Sequence, residues 1–202
     1  MNAGRSSSKE QSIESRWAVF VDRDGTIIDE TGYLSDPDGV RILPHASSGL
    51  RKLNRIGIPV IVVSNQSGIA RRMFTAEDVE RVNQRMRDLL AADGARVDAI
   101  YFCPHHPDYD VECDCRKPRP GLLVAASKER GISLKESFMV GDKLIDMQAG
   151  RAAETSTVFV RTGDGQKELQ AAGAEISAVA DAVCEDLSEA VEWILEQRNL
   201  RR

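Results

Sequence analysis

The chain has 202 residues, of which 42% are hydrophobic and 29% are charged, and its formal net charge is -5. These values are typical of a globular domain with a sizeable buried core. The negative charge argues against a nucleic-acid binder that relies on phosphate contacts. No apolar run approaches the roughly 20 residues of a membrane span. We therefore expect neither a nucleic-acid nor a membrane partner.

The N-terminal stretch, residues 1–15, is polar and rich in serine, and predicts a disordered extension. It lacks the apolar core of a signal peptide, which favours a cytoplasmic protein whose cysteines stay reduced. Residues 16–202 are expected to form a single domain.

The first strand is predicted over Ala18–Val21, and the acids Asp22 and Asp24 follow it directly, before a turn at Gly25. In an open α/β sheet, ligands bind at the carboxyl ends of strands, so these carboxylates are placed to act on a ligand. A solvated acidic turn is the alternative. The loop that follows holds four residues expected to reach over the ligand: Glu30, Thr31, Gly32 and Tyr33.

The second strand is predicted over Pro59–Val63, between a helix that follows Pro44 and a capped helix over Thr75–Asp93. A hydroxyl, amides and backbone N–H groups follow this strand and predict an anion cradle, with a simple polar turn as the alternative. The residues of this cradle are Ser64, Asn65, Gln66, Ser67 and Gly68.

The third strand, Val97–Phe102, runs into a loop over residues 103–115 that is rich in soft metal ligands. Three thiols and an imidazole form the tetrahedral set that zinc prefers, and His105 is favoured over His106 because C-x-H mirrors C-x-C. A disulfide is the alternative, but three cysteines cannot pair evenly. The proposed ligands are Cys103, His105, Cys113 and Cys115.

Two cations, Arg116 and Lys117, follow this loop, where a zinc site would hold them still as counter-charges for an anion. A fourth strand, Phe138–Val140, precedes Asp142, which offers a hard oxygen ligand for magnesium. Further helices are predicted over Leu122–Arg130 and Leu144–Ala153. The last elements predicted are a fifth strand over Thr155–Val160, a loop from Gly163, a short sixth strand with a buried Cys184, and a helix through Leu187 and Leu195.

Four strand ends carry, in this order, DRDGT, SNQSG, C-x-H with C-x-C before RKP, and GDK-x-x-D. This combination resembles the motif order of the haloacid dehalogenase (HAD) superfamily of phosphatases. Within it, the stretches SNQSGIAR, CPHHP, CDCRKP and VGDKLIDM are similar to the D-glycero-D-manno-heptose 1,7-bisphosphate 7-phosphatase family. The resemblance implies a Rossmann-like α/β parallel sheet flanked by helices, without a large cap domain.

The resemblance also implies residue roles. Asp22 would be the nucleophile and Asp24 the general acid and base, while Ser64 and Lys117 would stabilise the transferring phosphoryl group. The implied magnesium ligands are Asp22, Asp24 through its carbonyl, and Asp142. The implied structural zinc ligands are Cys103, His105, Cys113 and Cys115. The implied substrate-binding residues are Glu30, Thr31, Gly32, Tyr33, Asn65, Gln66, Ser67, Arg116 and Lys143.

The implied activity is magnesium-dependent hydrolysis of the sugar 7-phosphate by a monomer, in the biosynthesis of nucleotide-activated heptose for lipopolysaccharide. The zinc loop is shared with bifunctional histidinol-phosphate enzymes, so histidinol phosphate is an alternative substrate. A response-regulator-like phosphoacceptor would need an aspartate after the third strand, where this chain has Cys103. A silent binding protein would have little use for so many acids. The preferred anomer and a metal role for Asp146 stay open.

Overall fold

The computed structural model describes residues 16–109 and 112–200, so the extension predicted over residues 1–15 lies outside the described residues. Six parallel strands form one sheet in the order β3-β2-β1-β4-β5-β6. The strands are β1 (Val19–Val21), β2 (Val60–Asn65), β3 (Ala99–Cys103), β4 (Phe138–Gly141), β5 (Ser156–Val160) and β6 (Ala182–Cys184).

The helices cover both faces of this sheet. Buried side chains of α1, α2 and α6 pack on one face, and those of α3, α4 and α5 pack on the other. None of the helices within the described ranges has the length and hydrophobicity needed to cross a membrane. The helices are α1 (Ala46–Arg55), α2 (Ala76–Ala92), α3 (Gly121–Arg130), α4 (Leu144–Ala152), α5 (Gly165–Val179) and α6 (Leu187–Leu200).

The central strands are apolar along their whole length because they are buried on both faces. Side chains alternate between the faces with the two-residue period of a strand. Val19 and Val21 therefore pack with α1, α2 and α6, whereas Phe20 packs in the cluster that contains α3 and part of α4. This three-layer architecture confirms the predicted fold class. Within the described residues, no cap domain covers the carboxyl edge of the sheet.

Most element boundaries agree with the sequence-based expectations. The capping box at Thr75 begins α2, and Gly131, at φ +63°, ends α3. Cys184 is buried at the end of β6, as predicted. Strand β2 continues through Asn65, two residues beyond its predicted end at Val63.

A loop is present at Gly163, as predicted, but the helix that follows it, α5 over residues 165–179, was not predicted. Gly165 and Ile176 are the residues of α5 that are buried. Its apolar residues Leu169, Ala172, Ile176 and Val179 recur at helical spacing and pack in one cluster, but only Ile176 among them is buried, so the apolar stripe is weak. Non-helical dihedral angles at Ala172 interrupt the helix and weaken its periodicity further.

The order of the strands places a crevice at the carboxyl end of β1. The chain leaves β1 toward α1 on one face and leaves the neighbouring β4 toward α4 on the other. Such a switch point leaves room for a ligand between the two departing connections. The acids that follow β1 and β4 lie at this crevice.

Candidate active site

The turn after β1 brings two acidic strand ends close together. The backbone N–H of Asp22 donates to the carbonyl of Val140 at 2.9 Å, which extends the pairing of β1 with β4. Gly25 has φ +81°, and a Cβ atom there would lie 2.2 Å from Oδ2 of Asp142. Glycine is therefore required at this turn, both for its backbone conformation and for the close approach of the acid on β4.

Three buried carboxylates lie close together, and the amine of Lys117 contacts two of them. Oxygens of Asp22, Asp142 and Asp146 lie within 4.8 Å of one another. The Lys117 Nζ atom is 2.8 Å from Asp22 Oδ1 and 2.6 Å from Asp146 Oδ1, and it donates to the carbonyl of Val63 at 2.9 Å. Lys117 is thereby fixed against both the nucleophile predicted after β1 and the acid on α4.

The charge of this cluster is incompletely balanced. Burial raises the pKa of Asp22 to about 7, although Lys117 opposes that shift. Burial and the neighbouring Asp22 and Asp146 raise the pKa of Asp142 to about 8. Burial alone would lower the pKa of Lys117, but Asp146 and Asp22 outweigh it and raise that pKa. The ionised carboxylates therefore need more positive charge than the lysine supplies.

The donor chemistry of the cluster fits magnesium. Carboxylate oxygens are hard ligands, and a divalent cation would balance the charge that raises the two acid pKa values. Asp22 and Asp142, both predicted ligands, belong to the cluster, and Asp146 adds a third side chain. The side chain of Asp24 lies outside it, so its predicted contribution through the backbone carbonyl stays a prediction.

The carboxylate of Asp24 is held by groups from β1 and β2. The guanidinium of Arg23 lies 3.0 Å from Asp24 Oδ1 through its NH2 group. Gln66 Nε2 donates to Asp24 Oδ2 at 2.9 Å and to the Ser64 hydroxyl at 2.7 Å. The Ser64 hydroxyl is 3.4 Å from the same Oδ2 atom. Asp24, the predicted general acid and base, thus faces the predicted phosphate cradle.

The amide of Asn65 holds the backbone of Lys117. Its Oδ1 atom accepts from the Lys117 N–H at 3.0 Å, and its Nδ2 atom donates to the Lys117 carbonyl at 3.1 Å. Both ends of the amide are therefore engaged within the protein. Asn65 therefore positions the lysine, and its predicted contact with an anion, which the second N–H of Nδ2 could make, stays a prediction.

These groups form the floor of an open cleft of about 330 Å³. Glu30 and Lys143 pair across it, with 2.7 Å between Oε2 and Nζ, and Glu30 Oε1 accepts from the Gly32 N–H at 2.9 Å. Thr31 is exposed and lies outside the lining. The other predicted substrate-binding residues that line the cleft are Tyr33, Asn65, Gln66, Ser67 and Arg116.

A junction of three loops meets the rim of the cleft at Tyr33. The guanidinium carbon of Arg71, after β2, lies 5.8 Å from the Tyr33 ring centroid and 4.8 Å from that of Tyr109. Its NH2 group is 2.9 Å from His106 Nε2, and its NH1 group donates to the Tyr109 hydroxyl at 3.2 Å. We call these four residues the rim junction, because they tie together the loops after β1, β2 and β3.

Three thiols and one imidazole cluster in the loop after β3. One ligand atom from each of the predicted zinc residues lies within 4.8 Å of the others, and all cysteines of the chain are free. The Sγ atom of Cys113 is 3.7 Å from that of Cys103 and 3.5 Å from that of Cys115. Tetrahedral Zn–S bonds of about 2.3 Å imply a separation of about 3.8 Å. Two of the three separations lie near that value and the Cys115–Cys103 pair is closer, at 2.9 Å, so the identity and clustering of the donors fit zinc. His105 belongs to this cluster and His106 does not.

The zinc cluster connects directly to the cations of the cleft. The NH1 group of Arg116 donates to the carbonyl of His105 at 3.0 Å. Lys117 follows one residue later and reaches the acid cluster. The loop therefore holds Arg116 directly and is joined to Lys117 through the backbone.

Several residues of the site carry no local sequence signal. Arg23 lies between two acids in the sequence, a position typical of a solvent-exposed cation, but the residue is only 1% exposed. Its NH1 group donates to Oδ1 of the buried Asn83 at 2.9 Å. Asn83 lies on α2 among residues assigned to the core, and Arg71 lies in a segment without a predicted element. Their contacts arise only from the folding of the chain.

The comparisons with known proteins agree with this geometry. A family model described as HAD-hyrolase-like matches residues 114–190. The crystal structure of the D,D-heptose 1,7-bisphosphate phosphatase from B. bronchiseptica, complexed with magnesium and phosphate, gives a TM-score of 0.80 at 32% identity, covering 90% of this chain and 99% of that chain. The chain is also 43% identical to the D-glycero-beta-D-manno-heptose-1,7-bisphosphate 7-phosphatase of Photorhabdus laumondii, over 81% of this chain and 92% of that protein. The enzyme of the same name from Escherichia coli K12 is 45% identical, over 72% and 80%.

The parallel sheet and the acids at its switch point define a phosphatase of the HAD superfamily. Its relatives at 43% and 45% identity share a single name. The chain belongs to the family of D-glycero-beta-D-manno-heptose-1,7-bisphosphate 7-phosphatases.

Proposed function

We propose that this chain hydrolyses the 7-phosphate of D-glycero-β-D-manno-heptose 1,7-bisphosphate through an aspartyl phosphate on Asp22. The observation that carries the proposed chemistry is the contact of Asp22 Oδ1 with the buried Lys117 Nζ at 2.8 Å, on the floor of an open cleft. The names of the relatives support the substrate and its β anomer, which the sequence alone left open.

In the first step, a carboxylate oxygen of Asp22 forms a bond to phosphorus and the bond from phosphorus to O7 of the sugar breaks. Asp24 gives its proton to the departing O7. In the second step, water attacks phosphorus, the bond to Asp22 breaks, and Asp24 takes a proton from the water. The products are inorganic phosphate and the heptose 1-phosphate.

The cradle and the cations neutralise the transferring group. The Ser64 hydroxyl and the backbone N–H of Ser67 hold its oxygens, while Lys117 lies beside the attacked phosphorus. Asp146 holds Lys117 from the opposite side, at 2.6 Å. A magnesium ion held by Asp22, the Asp24 carbonyl and Asp142 would mask the repulsion between the anionic nucleophile and the phosphate.

Selectivity for the 7-phosphate follows from how far each phosphate of the substrate can extend into the cleft. The 7-phosphate is attached to a primary, extended carbon that can enter the cleft floor, whereas the 1-phosphate on the ring stays outside. We assign Arg116 to the outer part of the substrate because its guanidinium lines the cleft and is held by the zinc loop. Lys143 and the segment 30–33 contact the sugar hydroxyls, with Glu30 and Lys143 fixed by their ion pair.

The position of cleavage provides the direct test. Phosphorus NMR of the reaction with the heptose bisphosphate is expected to show loss of the 7-phosphate signal and retention of the 1-phosphate signal. Histidinol phosphate is the competing substrate. Release from position 1, or a far higher kcat/KM for histidinol phosphate, would contradict the heptose assignment and leave the phosphatase assignment intact.

Arg116→Ala is expected to raise KM for the heptose bisphosphate by about 10-fold or more, the cost of one charge-assisted hydrogen bond. The rate with p-nitrophenyl phosphate should fall much less, because that ester has no second phosphate to hold. Steady-state kinetics with both substrates provide the measurement. Arg85→Ala is the matched control, since Arg85 is exposed on α2 and lies outside the lining of the cleft. An equal loss with both esters would contradict the assignment of Arg116 to the outer part of the substrate.

We further propose that the enzyme is a cytoplasmic monomer in which residues 16–202 act as a single domain. A site assembled from the strand ends of one chain needs no residue from a second copy. The free cysteines of the zinc cluster are consistent with a reducing compartment. Sedimentation of the purified protein at micromolar concentration tests the monomer.

A further inference from the structure

Arg23 is the largest fully buried side chain of the described residues. Its Nε atom is 3.2 Å from both carboxylate oxygens of Asp24, and its NH2 group is 3.0 Å from Oδ1. Its NH1 group donates to Asn83 Oδ1 at 2.9 Å. A buried cation requires a partner. The guanidinium of Arg23 makes all of these contacts with one carboxylate, that of Asp24, and one amide, that of Asn83.

Asn83 is fully buried on α2, beside the apolar Val82 and Met86 that contribute to the core. Its Nδ2 atom has no hydrogen-bond partner among the described residues. An amide left half-paired costs stability that an apolar side chain of similar size would not. The hydrogen bond with Arg23 is therefore the interaction that offsets the cost of burying this amide.

The two carboxylate oxygens of Asp24 have different sets of hydrogen-bond partners. Oδ1 receives the NH2 group of Arg23, and the Nε atom of Arg23 is shared between Oδ1 and Oδ2. Oδ2 receives Gln66 Nε2 at 2.9 Å and lies 3.4 Å from the Ser64 hydroxyl, so it faces the phosphate cradle. We propose that Arg23 and Asn83 are positioning residues that anchor Oδ1 of Asp24, so that Oδ2 delivers the proton to the leaving oxygen. This inference rests on the proposed role of Asp24.

The proposal predicts an effect that depends on the leaving group. When the bond from phosphorus to the leaving oxygen breaks, the electron pair remains on that oxygen, and an alkoxide needs the proton of Asp24 as it departs. A p-nitrophenolate ion is stable without that proton. The ratio kcat/KM includes the steps only up to departure of the leaving group, so it excludes the later hydrolysis of the aspartyl phosphate.

We expect Asn83→Ala to lower kcat/KM for the heptose bisphosphate by about 10- to 100-fold, part of the contribution of general acid catalysis. The loss for p-nitrophenyl phosphate should be smaller, so that the ratio of the two kcat/KM values falls at least about 10-fold. Arg23→Lys, which keeps the charge and loses the fork, should change the ratio in the same direction. It also serves as the test if Asn83→Ala does not fold.

Val82→Ala is the matched control, because it truncates a buried neighbour on α2 that is part of the core cluster. It should lower the melting temperature without changing the ratio. In an Asp24→Asn background, Asn83→Ala should cause no further loss for the bisphosphate, because both substitutions affect the same proton transfer. An equal loss for both esters, an unchanged ratio, or additive losses would overturn the inference.

The outcome is separable from that of the proposed function. If the wild-type protein did not hydrolyse the heptose bisphosphate but did hydrolyse another alkyl phosphate, the substrate assignment would fail. The same ratio, measured with that alkyl ester, would then test Arg23 and Asn83.

Discussion

Asp22→Asn is expected to lower kcat for the heptose bisphosphate by at least about 10⁴-fold, the order of loss when a covalent nucleophile is removed. An amide has nearly the shape of the carboxylate, but it does not form a stable acyl phosphate. The asparagine oxygen can still accept from Lys117 and from the Arg23 N–H, which lies 2.8 Å from Asp22 Oδ1. We therefore expect the fold to survive.

Phosphate release and thermal unfolding measured on the same preparation test this prediction. Because burial raises the pKa of Asp22, the neutral amide should unfold at a temperature no lower than the wild type does. Asp24→Asn is the companion variant, with an expected loss of about 10²- to 10⁴-fold. Full turnover by Asp22→Asn would rule out the aspartyl phosphate.

Removal of zinc is the second change with a large expected effect. The purified protein should contain about one zinc per chain. A chelator that extracts it should lower the melting temperature by about 10 °C and abolish most of the activity, because metal binding contributes to folding free energy. The two losses should occur together, since Arg116 and Lys117 follow the zinc ligand Cys115 in the chain.

A pair of histidine variants identifies the ligand. His105→Ala should lose zinc, whereas His106→Ala should retain it, because His106 contacts Arg71 outside the thiol cluster. Metal analysis by mass spectrometry, with activity measured in parallel, distinguishes the variants. Active and well-folded protein without zinc would contradict the structural zinc site.

The sequence was most informative where one local pattern determined one element. Short apolar runs that end in polar or glycine residues located the first five strands, because a strand buried on both faces is apolar throughout. The cluster of Cys103 with His105 was likewise predictable from spacing alone. Helix α5 was not, because Ile176 is the one apolar side chain of its stripe that is buried and non-helical dihedral angles at Ala172 interrupt the helix.

Side-chain contacts between distant segments could not be predicted from local patterns. Asp146, on α4, forms an ion pair with Lys117, which follows the zinc loop in the chain. Asn65 holds a backbone 52 residues away, although its place after a strand suggested contact with an anion. Arg23 meets Asn83 60 residues further along the chain. In each case the partner is set by the packing of the sheet, which no single stretch of sequence contains.

The residues of the rim junction, which lie at the entrance of the cleft, are distinct from the residues that carry out the reaction. Arg71, Tyr33, His106 and Tyr109 all lie beyond the strand ends, while Asp22 and Lys117 are held at the sheet itself. Exchange of residues at the junction can therefore reshape the entrance without displacing the reacting groups. The same division makes these loops the place to begin when redirecting the phosphatase toward another sugar ester in the laboratory.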